Sequence, residues 1–174
     1  MRGDLMNAID YALKMEIDGK TFYEKQSKES VDPRVKQIFD MLAKDEQRHY
    51  DIINGFKKTF YNYKGTDTFK TTKNMFSDML NKKQTFNVDV NVFEAYQQAI
   101  EMEKKSVELY SSEAVKSKNK DEKNVLLKLA EEEKKHQIIL ENLMDFIRKG
   151  DEWVESPEFS HLDEFDKFSK KDKY

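Results

Sequence analysis

An all-α bundle of four long helices, arranged as two antiparallel hairpins joined by a long crossover, is the fold class predicted for this 174-residue chain. Three observations predict it. The chain repeats itself at an offset of 87 residues, so that Ala8–Phe56 aligns without a gap on Ala95–Leu143. Apolar residues recur at helical rather than alternating spacing in four long segments. Gly (5) and Pro (2) are scarce, and charged residues make up 37% of the chain, a composition that suits long solvent-faced helices with few turns.

The first segment, from Asp4 to Glu29, places Leu5, Ile9, Ala12, Leu13, Glu16, Lys20 and Tyr23 near one stripe. Asp32-Pro33 then reads as an N-cap followed by proline at the first helical position, where its missing N–H has no partner to lose. The second segment runs on to about Thr59 and carries Val35, Ile38, Phe39, Leu42, Glu46, His49 and Ile53. The third spans Asn91 to Lys118 with Phe93, Tyr96, Ile100, Glu103, Val107 and Tyr110. Asn119, with Glu122 three residues on, resembles a capping box and opens the fourth, which ends at Gly150. Only a few residues join the first and second segments, or the third and fourth, so each pair forms a hairpin. Roughly thirty residues (60–90) separate the hairpins, enough to travel the length of a bundle, with Thr72–Asn81 forming a short helix on the way. Residues 1–150 are thus expected to form one bundle domain. Residues 151–174, an acidic tail with Trp153, Phe159, Phe165 and Phe168, are expected to dock on the bundle or on a partner subunit.

Composition narrows the function classes. The formal net charge of −3, with Lys and Glu interleaved, argues against nucleic-acid binding. A chain without cysteine has no disulfide, thiolate nucleophile, iron–sulfur cluster or cysteine-held zinc. The N-terminal MRGDLMNAID has no apolar signal core, and no stretch approaches the roughly 18 apolar residues of a membrane span. A cytoplasmic protein without membrane contact is the expectation.

The repeat also preserves residues that bind metal. Glu16 maps to Glu103, Tyr23 to Tyr110, Glu46 to Glu133 and His49 to His136. Glu and His at i and i+3 point into one sector of a helix and can reach one ion. A single Glu-x-x-His is a weak signal. Two equivalent copies, each preceded by Leu-Ala and each matched to an inward Glu on the preceding helix, are specific. Four carboxylates and two imidazoles make a ligand set for two metal ions in a four-helix bundle. Four ionised carboxylates on apolar stripes are costly alone, whereas two divalent cations leave the site neutral. Oxygen and imidazole donors without thiolate suit iron or manganese, with zinc as the alternative. The competing picture is a duplicated salt-bridged bundle whose Glu and His face solvent.

With these residues in view, the chain resembles the rubrerythrin family of the ferritin-like di-iron proteins over about residues 1–147. The resemblance rests on the two Glu-x-x-His motifs, the two lone Glu, and the Tyr seven residues after each. It implies two iron ions, with Glu46 and Glu133 bridging them. It also implies that Glu16 and Glu103 are terminal ligands and that His49 and His136 complete one ion each. Two departures stand out. The rubredoxin-type iron site of rubrerythrins proper needs four cysteines, and the extra Glu three residues after the terminal one is Ser106 here. Glu108 is nearby in sequence but on another side of the helix.

Around the six, Tyr23 and Tyr110 are expected to hydrogen-bond a ligand carboxylate, with an electron-supplying role as the bolder reading and ordinary core tyrosines as the plainer one. Asp45 and Glu132 are placed to accept the second imidazole N–H of the opposite helix's histidine. Gly19, opposite Ser106 in the repeat, costs about 1 kcal/mol of helix stability relative to Ala, and would open space near Glu16 or permit close packing. His161 reads as a tail residue rather than a seventh ligand. The functional expectation is reduction of hydrogen peroxide or dioxygen with electrons from a separate donor. Iron oxidation or storage, a non-catalytic metal-binding interaction bundle, and oxygen chemistry on an organic substrate are the alternatives. Apolar residues of the crossover (Tyr61, Tyr63, Met75, Phe76 and Met79) and the tail predict a homodimer or larger homo-oligomer.

Overall fold

Asp32 turns the chain back on itself. Its Oδ1 accepts the Arg34 N–H at 2.9 Å and its Oδ2 accepts the Asn87 N–H at the same distance. One carboxylate thereby caps a helix and ties the end of the crossover to the first hairpin turn. The computed structural model describes residues 2–56, 63, 65–89 and 92–148, with side chains from residue 8 onward. Among these it is all-helical: α1 (Arg2–Glu29), α2 (Pro33–Phe56), α3 (Thr68–Asn81), α4 (Phe93–Lys116) and α5 (Lys120–Arg148). Residues 57–62, Tyr61 included, lie outside this description, as do Gly150, the tail and His161.

The four bundle helices are α1, α2, α4 and α5. Hairpins α1–α2 and α4–α5 pack side by side, α1 against α4 and α2 against α5. Asn119 opens α5, its Oδ1 accepting the N–H groups of Asp121 (2.9 Å) and Glu122 (3.2 Å). The crossover helix α3 begins four residues earlier than the sequence predicts and packs against both α2 and α5. It stops where Lys83 takes a left-handed backbone (φ 51°) and the Gln84 N–H reaches the Met79 carbonyl at 2.9 Å. Phe76 and Met79 are not available for contacts with a partner, because they are buried in the core of their own chain. No described helix is long and apolar enough to cross a membrane.

The core is in two parts. One, at the α1–α2 turn, gathers Tyr23, Ile38, Phe39, Leu42, Phe76, Phe86, Tyr96, Ile139, Leu143 and Phe146. The other, at the opposite end, gathers Ile9, Leu13, Ile53, Tyr110, Ala114, Leu126 and Leu129. Along each bundle helix the Glu and His residues fall between the two parts, so a charged layer is sealed at both ends by apolar side chains. Phe39 braces this layer. Its ring lies 5.9 Å from Tyr23 and 5.2 Å from Tyr96. Phe39→Ala should therefore cost about 3–5 kcal/mol in urea unfolding, the range for a buried phenylalanine, and release Tyr23 from its place.

Candidate metal centre

Glu16 on α1, Glu46 and His49 on α2, Glu103 on α4, and Glu133 and His136 on α5 converge between the two core parts. All six are buried; His49 and Glu133 have no exposed surface (0%). The competing solvent-faced arrangement is not what the chain adopts. Offered ligand atoms gather in two groups, Glu16–Glu46–His49–Glu133 and Glu46–Glu103–Glu133–His136, with the atoms of each within 4.8 Å of one another. Glu46 and Glu133 belong to both.

The imidazoles are related by the repeat and lie 5.4 Å apart with an interplanar angle of 17°. His49 Nδ1 is 3.1 Å from Glu133, 3.5 Å from Glu16 and 3.7 Å from Glu46. His136 Nδ1 is 3.1 Å from Glu46, 3.3 Å from Glu133 and 3.7 Å from Glu103. The other ring nitrogens face away from the cluster. His49 Nε2 meets Glu132 at 2.8 Å and His136 Nε2 meets Asp45 at 3.3 Å, the cross-helix pairs expected for those carboxylates. With an ion bound, such a pair would set the neutral tautomer that turns the Nδ1 lone pair toward the cluster.

The tyrosines work across the halves. Tyr23 of the first hairpin donates to Glu103 of the second, and Tyr110 of the second donates to Glu16 of the first. Gly19 serves Glu46 rather than Glu16: a Cβ built there would stand 3.4 Å from the Glu46 carboxyl carbon. Gly19 and Ser106 also line a cleft of about 270 Å³ between α1 and α4 that reaches Glu46 and Glu103. Ser106 carries no carboxylate into it.

Three partners escaped sequence reasoning. Arg48 pairs with Glu132 beside His49, and Tyr63, expected to serve subunit contacts, donates its hydroxyl to the same Glu132. Thr66 likewise donates to Asp45 at 3.1 Å. Tyr63 and Thr66 sit in the aperiodic crossover, so no spacing pointed to them. For Arg48 there was a signal: it is adjacent to His49, and the repeat puts Lys135 in its place.

Electrostatics fit metal ions to this cluster. Glu16 Oε2, His49 Nδ1 and both Glu133 oxygens are buried without a hydrogen-bond partner, a costly arrangement that a shared cation removes. Burial and then the neighbouring Glu46 push the Glu16 carboxyl up to about 8, and burial with Glu46 and Glu133 raises Glu103 well above the carboxylate range. Burial and Glu133 also act to raise Glu46, but the neighbouring imidazoles of His136 and His49 outweigh them and hold it low. Burial opposes charge on His49 and His136 too, yet the surrounding carboxylates raise both well above the usual imidazole value. Without metal, protons held by Glu16, Glu103 and the two imidazoles offset carboxylate charge in the cluster. Two divalent cations on four carboxylates and two neutral imidazoles would leave the site neutral, so loading would displace those protons.

Loading two divalent ions in weak buffer should release protons, read with a pH indicator. The acid form of Glu16 also has a linkage consequence. Its stabilising effect is complete below 4.5 and is lost as pH rises toward 8, so this group makes the metal-free protein melt lower across that window. Glu16→Gln should flatten that part of the Tm profile.

A family model described as Rubrerythrin matches residues 7–144. No curated protein and no solved structure matches the chain.

Proposed function

The chain belongs to the rubrerythrin family, and on that premise we propose that the six-residue cluster holds two iron ions and reduces hydrogen peroxide or dioxygen. The observation that carries the reading is the burial of four carboxylates and two imidazoles in two overlapping groups between apolar cores. Glu46 and Glu133, common to both groups, would bridge the ions. Glu16 and Glu103 would each serve one, with His49 and His136 completing them through Nδ1. When bound and reduced, the two ions would supply the two electrons needed to turn peroxide and two protons into two waters.

The chain's own residues do the rest. Tyr23 and Tyr110 hold Glu103 and Glu16 by their hydroxyls, limiting how far each carboxylate swings as charge changes. Burial, together with the carboxylate beside it, keeps each of these hydroxyls protonated far above its ordinary value, so each remains a donor. The cleft between α1 and α4 gives a small oxidant a way to Glu46 and Glu103. Electrons come from a separate protein, since the chain has no cysteine for a second iron site.

A second reading, oxidation of ferrous iron, draws on Ser106. With a serine rather than a glutamate at this position, the feature tied by resemblance to peroxide chemistry is missing. Two measurements separate the readings. The reduced protein should be oxidised much faster by peroxide than by dioxygen in stopped flow if it is a peroxidase. A ferroxidase should instead turn over many added ferrous ions and accumulate mineral. Failure of both with metal bound favours a non-catalytic role. Glu46→Ala should lose most of its iron by elemental analysis, whereas Glu101→Ala, an exposed residue paired with Lys104 at 2.7 Å, should keep it. Equal iron in the two variants would contradict the ligand assignment.

A further inference from the structure

The two halves of the cluster agree in the residues that face its centre and differ in the residues behind them. Behind His49 stands Glu132, which accepts hydrogen bonds from His49, Arg48 and the Tyr63 hydroxyl. The Arg48 guanidinium itself lies 3.3 Å from His49 Nε2. Two cations face the Tyr63 ring, Lys128 at 4.9 Å and Arg48 at 5.8 Å from its centroid. Behind His136 stands Asp45, whose further donors are the neutral hydroxyls of Thr66 and Thr68. The repeat puts Lys135 where Arg48 stands. Although Lys135 lines the same cleft as Asp45, its ammonium pairs with Glu131 at 3.3 Å and lies over the Phe69 ring.

Taking the cluster as the two-metal centre proposed above, we infer that Arg48 makes the two positions unequal: the His136–Glu103 position takes the first divalent cation and the His49–Glu16 position the second. Arg48 acts through its charge. Its guanidinium offsets the charge of Glu132, so a cation arriving at His49 meets little net attraction from behind. Asp45 is held by neutral hydroxyls, keeps its charge and attracts a cation to His136. Arg48 and Glu132 are only 20% and 8% exposed, so salt screens this difference poorly. Arg48 is thus a positioning residue that sets the order of loading without touching an ion.

Partners of this kind change metal affinity roughly 10–100-fold, so the two dissociation constants should differ by at least about tenfold. The test titrates the metal-free full chain with Mn(II) and follows it by electron paramagnetic resonance. At one equivalent the wild type should show the hyperfine spectrum of isolated ions, and at two equivalents that of exchange-coupled pairs. His136→Gln should abolish the tight step and His49→Gln should keep it. Arg48→Gln should tighten the second step toward the first, so that coupled pairs form at one equivalent. Tyr63→Phe, a milder change, should move the same way by less and keeps the test decisive if Arg48→Gln fails to fold. Coupled pairs dominating the wild type at one equivalent would overturn the inference. So would survival of the tight step in His136→Gln, or a gap unchanged in both Arg48→Gln and Tyr63→Phe. A wild-type protein that binds no manganese at all would instead refute the two-metal reading, a result distinct from two equal sites.

Discussion

Charge balance in a buried layer is the constraint on which this fold depends. Four carboxylates and two imidazoles occupy the middle of a bundle whose ends are filled by apolar side chains. Unbalanced charge there would cost several kcal/mol per ion, a large share of a domain's whole stability. The six residues therefore need their charge offset, by protons or by cations, and exchange between the two would couple metal binding to pH.

The duplication gives this set its shape. Neither hairpin alone can build it, because each group of ligand atoms combines two Glu and a His from one hairpin with a Glu of the other. The tyrosines strengthen the exchange, since each half holds the other half's carboxylate. The histidines extend it outward, each leaning on an acid of the opposite hairpin. Closing the bundle and assembling the centre are thus one event.

Where the halves diverge, the crossover is the cause. It passes only once, across α2 and α5, and delivers Tyr63 to Glu132 and Thr66 to Asp45. A phenol beside a guanidinium on one side and a hydroxyl on the other break the electrostatic symmetry that the repeat would otherwise impose. Gly19 and Ser106 break the steric symmetry in the same way, one freeing space for Glu46 and both leaving a cleft at the α1–α4 seam.

By itself the sequence determined the helices, their pairing into hairpins and the six residues that meet at the centre. Periodicity, capping residues and an ungapped repeat are local or self-comparing signals, and a helix turns residue spacing directly into direction. Asp32 and Asn119 act as the caps their positions imply, and Glu46–His49 points inward as its twin Glu133–His136 does. Tertiary structure alone decided which tyrosine holds which carboxylate, that Arg48 turns to Glu132 while Lys135 turns to Glu131, and that Phe76 and Met79 complete the chain's own core. These are choices among neighbours distant in sequence, made by packing and by the path of an aperiodic crossover, and no spacing rule encodes them.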